Sequence, residues 1–222
     1  MVLCIHSEVT HGDIFDREAT FLEEIMTPLV TNFPNLKITM EHISTKHAVE
    51  YVLANTAGHL KASITCHHLI YNRNDLLVGG IKPHLYCLPI LKAEQHRMAL
   101  VQAATSGSPK FFLGTDSAPH ATDTKETACG CAGVFTAHAA VELYAEVFDA
   151  VGKLQHLEAF CSTNGADHYG LPYNTQTMTL EKKTWIVPKQ YDFGNDDDRD
   201  HENNKKTVTP MRAGEEVFWS IV

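Results

Sequence analysis

The order of apolar and amphipathic segments predicts an α/β fold built on a parallel sheet. Short apolar segments and amphipathic segments alternate four times along the chain, which is typical of β/α units. The apolar segments lack a polar–apolar alternation, as expected for strands that are buried on both faces. The predicted strands are Val2 to His6, Lys37 to His42, Leu60 to Thr65 and Phe111 to Leu113.

A helix is predicted after each strand from apolar residues at helical spacing. In the first, Leu22, Ile25, Met26 and Leu29 share one face of a helix from roughly Phe15 to Val30. A second helix is predicted to begin near Ser44 or Thr45. Two more are predicted from about Ala93 to Thr105 and from about Phe135 to Val151, followed by a shorter one near Leu154 to Cys161.

The C-terminal part departs from this alternation. Gln190 to Lys206 is polar and charged, which predicts a mobile loop. Val217 to Val222 is apolar again and predicts a final strand that returns to a sheet. We expect residues 1–222 to form a single domain, because no composition shift or repeat divides them.

Composition excludes several classes of function. The net charge is -9 and no cluster of Lys and Arg stands out, so nucleic acid is not an expected partner. No apolar run approaches the roughly 18 residues that a membrane helix needs, and the first residues do not resemble a secretory signal. Six cysteines in 222 residues are too few for a disulfide scaffold, so we expect reduced thiols and a cytoplasmic location.

Polar residues stand at the carboxyl ends of three predicted strands. They are His6, His42 and Asp116, and active sites of parallel β/α folds gather at that edge. Two imidazoles and a carboxylate suit Zn²⁺. The alternative is that each histidine caps its strand and bonds to a loop carbonyl. His67 and His68 are adjacent, so on a strand their side chains would point in opposite directions and could not share one metal.

Long segments of the sequence resemble the dihydroorotase family, in the bacterial-type, single-function branch of the amidohydrolase superfamily. The clearest is FFLGTDSAPH, from Phe111 to His120. Ile5 to Thr10 resembles the family's H-G-E-V-T segment, with Ser7 in place of glycine. The similarity extends through Glu41 to Lys46, Lys82 to Lys92, Cys129 to Gly133, Glu158 to Ser162 and Ala213 to Val217.

The resemblance implies a (β/α)₈ TIM barrel that cyclises N-carbamoyl-L-aspartate to dihydroorotate, reversibly, in pyrimidine biosynthesis. It also implies two zinc ions bridged by a carbamylated lysine and a hydroxide, and a homodimer. By the same resemblance, His6 and His42 would bind one metal, and Asp116 would bind the other and move the proton. The residues implied to contact the substrate are Leu88 and Ala132, through backbone groups, and His120, at the substrate carboxylate.

Part of the family's site has no counterpart in the sequence. The four predicted strands correspond to the fifth to eighth of the barrel, and no H-x-H pair or upstream bridging lysine precedes His6. We therefore expect negligible activity from the 222 residues alone, and a fragment in preference to a protein whose missing half is supplied by another chain. Two alternatives remain: an inactive half barrel that serves as a binding or scaffold partner, and another cyclic amidohydrolase such as a hydantoinase-like enzyme.

Overall fold

A four-stranded parallel sheet organises the computed structural model, which describes residues 1–192 and 206–222. The strands lie side by side in chain order, so each new strand adds to the same growing edge. This confirms the predicted α/β architecture and all four predicted strands to within a residue. Their bounds are β1 Val2–His6, β2 Lys37–Glu41, β3 Leu60–Ile64 and β4 Phe111–Leu113.

The register of the sheet brings the carboxyl ends of the strands to one edge. His6 pairs with Glu41 across the first two strands, and Ile64 pairs with Leu113 across the last two. Because all neighbours are parallel, the residues that follow each strand enter the same region of the molecule.

The first helix is continuous but contains a wider turn. An α segment, Arg17–Phe21, leads into a π segment, Leu22–Met26, and then into a second α segment, Thr27–Asn32. Both the amide and the hydroxyl of Thr27 donate to the carbonyl of Leu22, five residues earlier. Pro28 follows at once and has no amide hydrogen, so the wider turn lets the helix continue past a missing donor.

The remaining helices connect or cover the strands. The helix Lys46–Ala54 begins as predicted, because the side chain of Thr45 accepts a hydrogen bond from the amide of Ala48 at 3.1 Å. The others are Cys66–Ile70, Arg73–Leu77, Glu94–Thr105, Thr122–Lys125, Ala140–Ala150 and Asn164–Tyr169, with a π segment at Ala159–Thr163 and 3₁₀ turns at Pro83–Leu85 and Leu154–His156.

The helix predicted from about Phe135 begins later, at Ala140. The amides of Thr136 and Ala137 donate to the hydroxyl of Ser117, at 3.1 and 3.0 Å. These bonds tie the segment to the turn after β4, and the helix begins only beyond it.

The C-terminal segment forms two short strands instead of the single final strand predicted for Val217 to Val222, and each lies in a two-stranded sheet apart from the main sheet. Glu216–Val217 pairs with Trp185–Ile186, and Ser220–Ile221 pairs with Leu180–Glu181, in short antiparallel ladders. Tyr191–Asp192 pairs with Thr207–Val208 at the two ends of the predicted mobile loop. Residues 193–205 of that loop lie outside the described residues.

The core lies between the sheet and the helices that cover it. Fully buried side chains include Met40 and Ile64 from the sheet and Tyr144 and Phe148 from the helix Ala140–Ala150. In contrast, no residue of β1 is fully buried, so the expectation that every strand is buried on both faces is wrong for this edge strand. Within the described ranges, no helix has the length and apolar character needed to cross a membrane.

Candidate active site

The two strand-end histidines meet side by side. His6 is the last residue of β1, and His42 comes directly after β2. The Nδ1 atom of His6 lies 3.3 Å from the Nε2 atom of His42, and their ring centroids are 4.8 Å apart. The predicted approach of these two side chains is therefore present in the structure.

Unusual backbone conformations mark two of the three predicted metal-binding residues. His42 and Asp116 both adopt a φ of 41°, and among the described residues only one other non-glycine residue, Arg212, has a positive φ. Such conformations cost about 1–3 kcal/mol and persist only where neighbours hold them. At His42 the amide donates to the hydroxyl of Ser63 at 2.7 Å, and that hydroxyl donates to Glu41.

The electrostatics at the strand ends link Asp116 to the histidine pair. Burial raises the pKa of Asp116, although the charges of His42 and His6 act in the opposite direction. Burial lowers the pKa of His42, and the Asp116 carboxylate only partly offsets this. At neutral pH, His42 is therefore an uncharged imidazole with a lone pair to offer.

This donor set fits a metal ion. Two nitrogen ligands at about 2.0–2.1 Å from a tetrahedral Zn²⁺ lie about 3.3–3.4 Å from each other. The nitrogens of His6 and His42 are 3.3 Å apart. Asp116 acts electrostatically on both rings, but among the described residues its carboxylate does not come within 4.8 Å of both histidine nitrogens. The second ring nitrogen of His42, Nδ1, is buried and has no hydrogen-bond partner among the residues described.

The residues implied to contact substrate lie on two adjoining segments. The Nε2 atom of His120 is 3.0 Å from the carbonyl oxygen of Ala132. The amide of Gly133 donates to the carbonyl of Tyr86 at 2.9 Å, which joins this segment to the one that carries Leu88. The peptide bond between Leu88 and Pro89 is cis.

A buried lysine that sequence analysis did not single out holds these two segments together. The ammonium group of Lys125 donates to the carbonyls of Tyr86, Cys131 and Gly133 at 2.9, 2.7 and 2.7 Å. Burial lowers its pKa to about 8. Nothing in the sequence around Lys125 marks it, because the three carbonyls come from backbone that is distant or irregular.

A second histidine cluster corrects a sequence-based expectation. His67 and His68 lie in the helix Cys66–Ile70, not on a strand, and their ring centroids are 4.6 Å apart. Potential ligand atoms of both histidines and of Cys87 lie within 4.8 Å of one another. The expectation that the two side chains point in opposite directions is therefore wrong.

Hydrogen bonds occupy His68 and Cys87 in this cluster, whereas both ring nitrogens of His67 are buried without a hydrogen-bond partner among the described residues. The Nδ1 atom of His68 lies 2.6 Å from the hydroxyl of Thr65, and its Nε2 atom lies 2.9 Å from the carbonyl of Pro89. A carbonyl can only accept, so Nε2 donates and Nδ1 accepts, which leaves no free lone pair. Burial raises the pKa of Cys87 to about 12, and its thiol donates to the carbonyl of Pro89 at 3.2 Å.

The sequence comparison identifies the family. A family model described as "Amidohydrolase family" matches residues 1–217. The chain belongs to the amidohydrolase family. It is 59% identical over 223 residues to the dihydroorotase of Aliivibrio fischeri strain ATCC 700601 / ES114, a match that covers all of this chain and 62% of the relative. The chain therefore spans less than two thirds of the length of the curated relatives it matches.

Solved structures agree with this membership. The dihydroorotase of Campylobacter jejuni is 36% identical with a TM-score of 0.85, over all of this chain and 61% of that one. The dihydroorotase of Saccharomyces cerevisiae, solved with 5-fluoroorotic acid, is 29% identical with a TM-score of 0.86, over all of this chain and 63% of that one. The amidohydrolase barrel predicted from the sequence is confirmed, and this chain covers part of it.

Proposed function

We propose that this amidohydrolase is a dihydroorotase, which converts N-carbamoyl-L-aspartate to (S)-dihydroorotate, reversibly, in pyrimidine biosynthesis. The observation that carries the proposal is the 3.3 Å contact between His6 and His42 beside Asp116, at the carboxyl ends of parallel strands. The 59% identity to a dihydroorotase supports the choice of substrate.

The cofactor we propose is zinc, held by His6 and His42 with Asp116 beside them. A zinc ion bound there supplies a Lewis acid that polarises the carbonyl group of the substrate. Two imidazoles and one carboxylate are donors that zinc accepts readily. The family resemblance extends this to two ions in a complete site.

Asp116 has the character that the proton transfer requires. Ring closure joins a ureido nitrogen to the carbon of a carboxyl group and releases one water, so the departing oxygen must gain a proton. A carboxyl group whose pKa is raised by burial holds that proton more readily than an exposed one. In the reverse direction, the Asp116 carboxylate takes a proton from the attacking water.

His120 is suited to hold the substrate carboxylate. Its Nε2 atom faces the Ala132 carbonyl, so that nitrogen donates a hydrogen bond within the protein. The other nitrogen, Nδ1, donates to a substrate carboxylate when the ring is charged, and an imidazolium beside a carboxylate is favourable. The backbone of Leu88 and Ala132 then contacts the substrate ring.

We further infer a homodimer in the cytoplasm, acting on a small molecule without nucleic acid or membrane partners. The inference of a homodimer rests on the resemblance to the family. The acidic net charge of -9 and the absence of a basic cluster support the exclusion of nucleic acid.

The test is dihydroorotate hydrolysis, followed by ultraviolet absorbance. The sequence contains no H-x-H pair, so we expect the 222 residues alone to show negligible turnover. We expect turnover when the part of the Aliivibrio fischeri enzyme that precedes the matched region is fused to this chain. Asp116→Asn in the fusion should abolish it, whereas Asp123→Asn, an exposed aspartate seven residues away, should not. A fusion that folds and binds zinc but does not hydrolyse dihydroorotate would refute the proposal.

The same fusion discriminates between the alternatives. A hydantoinase-like enzyme would hydrolyse hydantoin in preference to dihydroorotate. An inactive binding partner would hydrolyse neither, even with the missing residues supplied. The D-S-A-P-H turn from Asp116 to His120 and the Cys131 to Gly133 segment favour dihydroorotate over hydantoin.

A further inference from the structure

A buried ion pair lies directly behind His6. The carboxylate of Glu8 and the ammonium of Lys92 are 3.2 Å apart, and their side chains are only 4% and 2% exposed. Glu8 follows β1 by two residues, and Lys92 precedes the helix Glu94–Thr105. Lys92 also donates to the carbonyl of Ile14 at 3.3 Å. Removing two charges from water costs several kcal/mol per ion, so stability alone is a weak reason for this pair.

The second oxygen of Glu8 contacts the proposed metal ligand. Oε2 lies 3.3 Å from the Nε2 atom of His6, while Oε1 faces Lys92. An ionised carboxylate can only accept, so its contact with Nε2 of His6 favours a hydrogen on that nitrogen over a lone pair. Nδ1 of His6 then keeps its lone pair, and it is this atom that faces Nε2 of His42 at 3.3 Å.

We propose that Glu8 is a positioning residue that fixes the tautomer and ring orientation of His6 for metal binding, and that Lys92 holds the Glu8 carboxylate in place. This rests on the proposed function, because it takes His6 as a ligand. Ligating histidines usually donate their other N–H to a carboxylate, a carbonyl or water, and losing that partner weakens metal affinity by about 10–100-fold.

The geometry supports a role beyond structure. If Glu8 only connected β1 to the segment before the helix Glu94–Thr105, its bond to Lys92 would be sufficient. Here the carboxylate uses both oxygens, one on the ammonium and one on the imidazole. By comparison, the pair of His11 and Glu24, 3.5 Å apart, is exposed to solvent.

The first experiment measures Zn²⁺ affinity of the 222-residue protein by competition with a chromophoric chelator. Glu8→Gln is expected to bind zinc about 10–100-fold more weakly than wild type, and to shift the visible spectrum of bound Co²⁺. The matched control, Glu24→Gln, should bind as wild type does. His6→Ala should bind more weakly still.

The outcomes separate this inference from the proposed function. If the wild type shows no specific zinc site, or if His6→Ala binds zinc as tightly as the wild type does, the metal site itself is refuted. If His6→Ala loses affinity but Glu8→Gln keeps wild-type affinity and the wild-type Co²⁺ spectrum, only the positioning role is refuted.

A second measurement determines the tautomer of His6 in the wild-type protein. Long-range ¹⁵N–¹H correlation spectra of the wild-type protein report which ring nitrogen of each histidine carries the hydrogen. The His6 signals are assigned by their absence in His6→Ala. We expect His6 protonated on Nε2, and a hydrogen on Nδ1 would overturn the inference.

Discussion

Glu18 is a buried carboxyl group that should make the protein less stable as the pH rises. It is 1% exposed, and both of its oxygens accept from the amide of Ser44 at 3.0 Å, while one also accepts from the Ser44 hydroxyl at 2.9 Å. Burial raises the pKa of Glu18 to about 7, and these bonds offset burial only in part. The change that tests this is Glu18→Gln, which keeps the shape and an acceptor but cannot ionise.

The magnitude follows from the pKa. The folded protein binds the Glu18 proton more tightly than the unfolded chain does, because the pKa rises from 4.5 to about 7. The resulting contribution is fully present below pH 4.5 and is lost as the pH rises through about 7. At about 1.4 kcal/mol per pH unit, the whole loss is about 3 kcal/mol.

The assay is urea unfolding of wild type and Glu18→Gln at a series of pH values from 4.5 to 8. The two free energies of unfolding should be similar at the acid end, and the variant should gain about 3 kcal/mol relative to wild type by pH 8. Glu24→Gln, which changes an exposed carboxylate, should show no such trend. A difference between Glu18→Gln and wild type that is independent of pH would refute the reasoning.

Three further changes test the packing around the site. Gly114→Ala should cost about 1–3 kcal/mol in urea unfolding and weaken zinc binding, because an added Cβ would lie 2.6 Å from the Cβ of Ser63, whose hydroxyl holds the His42 amide. Tyr144→Phe should cost about 1–2 kcal/mol, since it removes the 2.7 Å bond from its hydroxyl to the Ile64 carbonyl. Cys87→Ala should leave the zinc content unchanged, and a lost equivalent of zinc would show that the buried cluster is a metal site.

The strand positions were predictable because local sequence determines them. The apolar runs of β1 to β4 are short and bounded by polar residues, and parallel pairing then brings the residues that follow them together. Thus His6 and His42 could be placed next to each other before any coordinates were known. The sequence could not give the φ of 41° at His42, which depends on the Ser63 hydroxyl of the neighbouring strand.

Features that depend on distant backbone were not predictable. The segment from Phe135 has helical periodicity, but its first residues are bound to the Ser117 hydroxyl of the turn after β4, and the helix starts at Ala140. The predicted opposite directions of the His67 and His68 side chains are wrong because the strand ends at Ile64 and a helix begins at Cys66. In each case a tertiary contact or an early strand end outweighed the local pattern.

Two lysines that each donate to three backbone carbonyls show how position in the fold decides what such a lysine does. Lys110 donates to the carbonyls of Val52, Leu53 and Asn55, at the end of the helix Lys46–Ala54. It precedes β4 and so lies at the amino edge of the sheet, where it caps a helix whose last carbonyls lack partners.

Lys125 makes the equivalent three bonds at the opposite, carboxyl edge. Its acceptors are irregular backbone at Tyr86, Cys131 and Gly133, next to the carbonyl of Ala132 that His120 contacts. Active sites of parallel β/α folds form at the carboxyl edge of the sheet. The hydrogen bonds from an ammonium group to three carbonyls therefore stabilise a helix end at the amino edge, and hold the proposed substrate-binding segments together at the carboxyl edge. Loss of Lys110 should therefore lower stability alone, whereas loss of Lys125 should also weaken binding of a substrate analogue such as 5-fluoroorotic acid by the fusion protein. Equal binding by the Lys110→Met and Lys125→Met fusions would contradict this distinction.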